Sequence, residues 1–197
     1  MTLAPSGQER TPLDAAFLAT KNAALAATIS FIIRSKAGKE RADVIWEQFE
    51  AAAPAMAAVG RTQFEQSGVA LIGTIRKDGS PRISCVEPCI LDGVLYLGMM
   101  WQSRKALDLL QDPRLVLHNT ICTSTGDEVE FSLCGRASEI RDPEVRRRYR
   151  SERTEWQEPH FHLFSLDIES ASLIEYGSGE QAVSVWPLGK AFKRPYG

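Results

Sequence analysis

Apolar residues recur at helical spacing between Val44 and Phe64, then switch to strand-like alternation beyond Gly68. Val44, Ile45, Trp46, Phe49 and Ala53 mark one helical stretch up to Pro54, and Met56, Val59 and Phe64 mark a second. Proline lacks the N–H that a helix interior needs, so the helix is expected to break or kink there. Val69 to Arg76 reads as a strand, Lys77-Asp78-Gly79-Ser80 as a turn, and Arg82 to Ile90 as a second strand. Asp92-Gly93 is a tight turn before a third strand, Val94 to Met100. Turns this short join strands as an antiparallel meander. Ser103 to Gln111 predicts a short helix with Ala106, Leu107 and Leu110 on one face, stopped by Asp112-Pro113. A strand over 114–121 follows. Thr123-Ser124-Thr125-Gly126-Asp127 is turn chemistry, and 128–140 is a long strand in which Gly135 can form a bulge. Asp142-Pro143 opens another helix over 144–153, and 161–168, 172–176 and 182–186 supply the last strands. Many short strands with brief helices between them predict a mainly β fold, a closed or nearly closed antiparallel barrel with peripheral helices.

Composition narrows the function. The 197 residues, 44% hydrophobic, suffice for one ordinary core. We expect an N-terminal extension over residues 1–40, helical or poorly ordered, and one barrel domain over 41–197. With 23 Lys+Arg against 25 Asp+Glu, the net charge of -2 gives no general attraction to nucleic acid or an anionic membrane, so any anion site has to be local. Cys85, Cys89, Cys122 and Cys134 lie in apolar or strand-like surroundings and read as buried small hydrophobes in a reducing cytoplasm. Cys85 and Cys89 share a strand face but lack the tight turn of a zinc knuckle. The Ala-rich run from Leu13 to Ile33 is interrupted by Asp14, Lys21 and Asn22, which leaves it short of the ~20 apolar residues of a bilayer span. Arg34 and Lys36 follow that run, the reverse of the order in an export signal, so a loosely attached amphipathic helix without stable membrane insertion is expected.

The most informative motif is Ser103-Arg104-Lys105-Ala106-Leu107, directly after a strand and at the start of a helix. Free backbone N–H groups and the positive end of the helix dipole favour an anion there. A serine hydroxyl and two cationic side chains add directed hydrogen bonds, a combination suited to a phosphate monoester. The blander reading is a Ser103 cap with Arg104 and Lys105 solvated. Neither a P-loop, a GxGxxG turn nor an HExxH helix is present.

The order of these pieces adds weight: strand, Gly79-Ser80-Pro81-Arg82, strand, Gly93-Val94-Leu95-Tyr96, then Ser103-Arg104-Lys105 with Leu110, Asp112-Pro113-Arg114 and Val116. Over roughly residues 60 to 190 this series resembles the pyridoxamine 5'-phosphate oxidase-like FMN-binding split barrels. The resemblance implies a six-stranded antiparallel split barrel, and a homodimer with each FMN between two subunits. It implies that Arg82 contacts phosphate, while Ile83, Ser84, Cys85 and Val86 offer mainly backbone groups along the flavin. Gly98 and Met99 would lie near the ring or ribityl chain, Ser103 at the helix start, and Arg104 and Lys105 on the phosphate. Glu130 would reach the partner's cofactor, and Trp186 would close over the flavin edge. Two departures speak against vitamin B6 oxidation itself: Glu87 stands where the oxidases carry lysine, and Trp186-Pro187-Leu188-Gly189-Lys190 lacks their Arg-x-His segment. The implied activity is flavin-dependent oxidation or reduction of a small-molecule substrate. A deazaflavin coenzyme in the same groove, and a non-catalytic flavin or haem binder or redox sensor, stay open.

Three other groups carry candidate chemistry. His160 and His162 alternate on a strand and face one way, and His118 could complete a metal or haem site, although no fixed spacing supports that third ligand. Arg146, Arg147, Arg148 and Arg150 form a basic cluster, read as a solvated face countered by nearby glutamates rather than a nucleic-acid site. Met99, Met100 and Trp101 read as core or as the lining of a ring pocket.

Overall fold

The computed structural model describes residues 44–121, 125–153 and 160–195. The expected extension over 1–40 and Cys122 lie outside the described residues. In chain order the elements are α1 (Trp46–Ala52), α2 (Pro54–Ser67), β1 (Ala70–Ile75), β2 (Pro81–Leu91), β3 (Val94–Met100), α3 (Arg104–Gln111), β4 (Arg114–Asn119), β5 (Val129–Glu139), α4 (Pro143–Glu152), β6 (Phe161–Gly177), β7 (Glu180–Trp186) and β8 (Lys190–Pro195).

The sheet runs β3-β2-β1-β4-β5-β6-β7-β8, and β3 also pairs with β6. That second pairing closes β1 to β6 into the expected six-stranded antiparallel barrel, while β7 and β8 extend from β6 outside the ring. Closure removes the free edges that an open six-stranded sheet would present.

The helical stretch is two helices. Pro54 is the first residue of α2, where its missing N–H costs nothing, and Ala53 between them has left helical geometry. Gly68 ends α2 at φ 64°, a left-handed conformation that glycine adopts without the Cβ penalty. Phe49 meets Trp46 and Trp186 edge-on at 5.5 and 5.1 Å, and Phe64 meets Phe131 at 5.5 Å. These rings fix α1 and α2 against the barrel.

The strands predicted over 161–168 and 172–176 are one strand, β6. Cys134 pairs with Ser170 and Gly135 with Ile168, so Glu169 is an extra residue that shifts the alternation by one position. A Cβ on Gly135 would stand 2.1 Å from the Asp167 carbonyl oxygen, so the bulge demands glycine opposite it. The buried-cysteine expectation also needs correcting. Cys85 and Cys134 are exposed because each lies on the outward phase of its strand. Cys89, on the same phase as Cys85, is half-buried because it packs with Tyr96, Tyr149, Phe161 and Leu163, and burial raises its thiol pKa.

Candidate functional site

Strand β3 ends at Met100, and a turn delivers Ser103 to the N-cap position of α3 in extended geometry. Its side chain makes no capping hydrogen bond, and the buried Ser103 Oγ has no partner. A buried hydroxyl left unsatisfied costs on the order of 1–3 kcal/mol, so a hydroxyl poised this way at a helix mouth fits an anionic ligand. Arg104 is exposed and makes no hydrogen bond or ion pair among the described residues. The first N–H groups of α3 have no intrahelical acceptor.

Arg82 comes from the neighbouring strand. Its register opposite Thr74 points it to the inner side of the sheet, where its Nε donates to Asp108 Oδ2 at 2.6 Å. Thr74 Oγ1 donates to the same oxygen at 2.9 Å. Asp108 is 8% exposed, so strand and helix are locked by a sheltered, charge-assisted bond. Because the bond uses Nε, the terminal nitrogens of Arg82 are left for another acceptor. Arg82 and Arg104, with Arg76, Lys77, Asp78, Leu107, Asp108 and Gln111, line a cleft of about 600 Å³.

Lys105 has a different job. Its ammonium donates to the Cys85 carbonyl of β2, and burial lowers its pKa. It ties α3 to β2 rather than lining the cleft. The buried face of α3 also differs from expectation. Ala106, Asp108 and Leu109 are buried while Leu110 is 46% exposed, because the helix is turned to deliver Asp108 to Arg82. Asp108 and Thr74 are the functional residues that sequence reasoning missed. The available signal was a carboxylate set between Leu107 and Leu109, where a purely structural helix would place an apolar residue.

The other expected site residues are distributed as follows. Ile83 is 74% exposed and Cys85 is also exposed, while Ser84 is half-buried and Val86 is buried along β2. Gly98 pairs with Glu87, and Met99 is buried in β3. Glu87 itself is engaged by Arg153. Glu130 is not brought to the cleft. It accepts a 2.9 Å hydrogen bond from Tyr176, with His118 Nε2 at 3.9 Å, and this bond raises the Tyr176 pKa. Trp186 is buried against Phe49 and also stands apart from the cleft.

His160 and His162 both approach Trp101, as their alternation predicts. His162 stacks on the indole at 4.5 Å, and His160 lies at 6.3 Å. His162 is buried and its Nδ1 contacts Glu139 at 3.1 Å. His118 is engaged elsewhere, with Nδ1 on the Asn119 carbonyl at 2.7 Å, and no metal-ligating group of three is assembled among the described residues. No helix among them is long and apolar enough to cross a membrane. Of the basic cluster, Arg147 pairs with Glu144 and Arg148 with Asp92.

The chain matches HutZ, the haem storage protein from Vibrio cholerae, at 17% identity and TM-score 0.51, covering 61% of this chain and 94% of that one. A protein from Clostridium acetobutylicum related to general stress protein 26, of the pyridoxine phosphate oxidase family, matches at 13% identity and TM-score 0.49, covering 70% and 92%. A haem-binding protein from Mycobacterium smegmatis matches at 15% identity and TM-score 0.49, covering 70% and 57%. At 17% identity the HutZ match speaks for a shared fold alone. No curated protein matches the sequence. The sequence profile described as pyridoxamine 5'-phosphate oxidase matches residues 56–175, well over half of the chain and all of the barrel up to β6. On that match, which spans the cleft as well as the fold, the chain belongs to the pyridoxamine 5'-phosphate oxidase family.

Proposed function

We propose that the cleft between α3 and β2 holds the phosphate of FMN, and that the protein is a flavin-dependent oxidoreductase acting on a small organic substrate. The observation that carries this reading is the pairing, at one helix mouth, of an Arg104 guanidinium without a partner among the described residues and an unsatisfied Ser103 hydroxyl. Arg82, anchored through Nε by Asp108, presents its remaining N–H groups to the same anion with little rotamer entropy left to lose. The helix N–H groups add the dipole contribution. A bound flavin supplies hydride transfer at its central nitrogen.

The chain's own part is grip, orientation and exclusion of water. β2 would offer the backbone of Ile83 to Val86 to a bound flavin, and Lys105 holds that strand at Cys85. The barrel's outer face supports a homodimer. Ile83, Gly73, Val116 and Cys134 lie side by side across four neighbouring strands in one uncharged row, with Ile83 74% and Val116 40% exposed. An apolar strip of this kind fits a second copy of the chain. Glu130 projects from the same outward side of β5, which suits it to reach the partner's cofactor. The free thiols at Cys85, Cys89 and Cys134 accord with a reducing, cytoplasmic setting.

The test is spectroscopic. The purified protein is titrated in separate samples with FMN, a deazaflavin coenzyme and haem, then reduced and reoxidised. A flavin band that bleaches with reductant and recovers with an electron acceptor is the expected result. A deazaflavin band alone would move the reading to that coenzyme, a Soret band alone to a haem binder. Uptake of none of the three would refute the cleft as a cofactor site.

A further inference from the structure

A second concave, cationic surface lies between α4 and the start of β6, away from the residues that line the proposed FMN cleft. It measures about 420 Å³ and is lined by Arg141, Pro143, Arg146, Arg147, Arg150 and Phe161. The arginines of this region fall into two kinds. Arg148 and Arg153 lie outside the concavity, and each is matched by a barrel carboxylate, Asp92 and Glu87. At its rim, Arg141 pairs with Glu139 and Arg147 with Glu144. Arg146 and Arg150, one helical turn apart, have no carboxylate partner among the described residues.

Arg146 is nonetheless fixed in place. It donates to the Ile140 carbonyl at 3.1 Å and the Phe161 carbonyl at 2.7 Å, and its guanidinium stands 4.2 Å over the Phe161 ring. Two carbonyls and an aromatic face orient a cation without neutralising its charge. Like charges at i,i+4 repel by about 0.2–0.5 kcal/mol, so setting Arg150 beside a fixed Arg146 costs stability unless an anion joins them. The Arg150 side chain makes no hydrogen bond among the described residues, which leaves its planar fork available. Two uncompensated positive charges match the charge of about -1.5 to -2 on a phosphate monoester at neutral pH. The concavity admits a small molecule rather than a folded partner.

We propose that this surface is a second anion site, taking the phosphate group of a small phosphorylated metabolite through Arg146 and Arg150. The proposal does not depend on the FMN reading, because it shares none of that cleft's residues.

Phenyl phosphate is the probe, followed by titration calorimetry on the full chain. Wild type, the R104A variant, which disables the other phosphate cleft, R150A and R146K are compared. Arg150 is exposed and has no side-chain partner among the described residues, so R150A is expected to fold as wild type. Saturable binding that survives R104A and weakens roughly tenfold in R150A is expected, with R146K weakened because a lysine cannot make the planar contacts. Three results would overturn the proposal: no saturable binding, binding lost in R104A, or equal binding by wild type and R150A. A single-stranded oligonucleotide bound through Arg150 while phenyl phosphate is ignored would overturn it too, making this a nucleic-acid surface.

Discussion

Arg104 and Lys105 are adjacent in sequence and alike in charge, yet their surroundings assign them separable roles. Arg104 is exposed and makes no hydrogen bond or ion pair among the described residues, so Arg104→Ala should leave stability within about 0.5 kcal/mol of wild type. If Arg104 holds the cofactor phosphate, one charge-assisted bond of about 1.5–3 kcal/mol is lost. That corresponds to roughly ten- to hundred-and-fifty-fold in Kd for FMN. Lys105 is half-buried and its ammonium binds the Cys85 carbonyl. Lys105→Met keeps the aliphatic stem and removes that bond. The loss of about 1.5–3 kcal/mol is partly offset by relief of the ammonium's desolvation, for a net cost of about 1 kcal/mol. In a protein of this size that is a fall of roughly 2–4 °C in Tm. Flavin fluorescence quenching gives the Kd values and thermal melts give the stabilities. A Kd within twofold of wild type for R104A would refute the phosphate assignment. An unchanged Tm for K105M would refute the strand-tethering role.

Asp108→Asn should lower stability by about 2 kcal/mol through loss of the charge-assisted bond to Arg82. In a double-mutant cycle measured by urea unfolding, Thr74→Val should cost less in that background than in wild type, since both groups use the same oxygen. Gly135→Ala should destabilise by about 3 kcal/mol or more, because its Cβ would collide with backbone that cannot yield; an unchanged urea midpoint would show that the bulge relaxes. The Arg114 guanidinium holds the Asp112 carboxyl at about 2, against an ordinary 3.8. A depressed folded pKa means that Asp112's contribution to stability is present above 3.8 and lost as pH falls toward 2. NMR titration should find that midpoint, and Asp112→Asn should flatten the stability profile across that window. Val116→Glu places a charge in the middle of the outer apolar row; if that row forms the proposed dimer interface, sedimentation should show a dimer for wild type and a monomer for the variant, and a dimeric variant would move the interface elsewhere.

What the sequence revealed, and what it concealed, follows from the range of the forces involved. Strand β3 falls on its predicted bounds, Val94 to Met100, and β1 and β2 fall within one residue at each end. Strict alternation and glycine-bearing turns are local signals. The helix mouth at Ser103 was legible for the same reason. Strand β8 had no such signal, since every residue from Lys190 to Pro195 is exposed and only its pairing with β7 makes it a strand. The bulge at Glu169 was hidden among polar residues, where a shift of phase leaves no hydrophobic trace. Asp108 could not be matched to Arg82 from spacing, because 26 residues and the β2–β1 pairing separate them.

The outer face of the barrel shows how such tertiary information can still be read backward into sequence. In β4, Leu115 and Leu117 point inward and are buried, yet the outward Val116 is apolar as well. Ile83 of β2 lies in the same outward row and is 74% exposed. A strand solvated on one face should alternate apolar with polar; one apolar on both phases is built to be covered twice. The barrel core provides the first cover. Gly73, lying between Ile83 and Val116 in the same row, has no side chain to raise above them, and a Cβ there would meet Val116 Cγ1 at 2.7 Å. The row is therefore low as well as apolar, and a second copy of the same surface can approach it closely. Because β2 carries both Ile83 in that row and Arg82 in the cleft, docking a partner there would bring it against the strand that lines the proposed cofactor site. On the proposed reading, subunit contact and cofactor grip would share one strand, which Lys105 and Asp108 tie to α3.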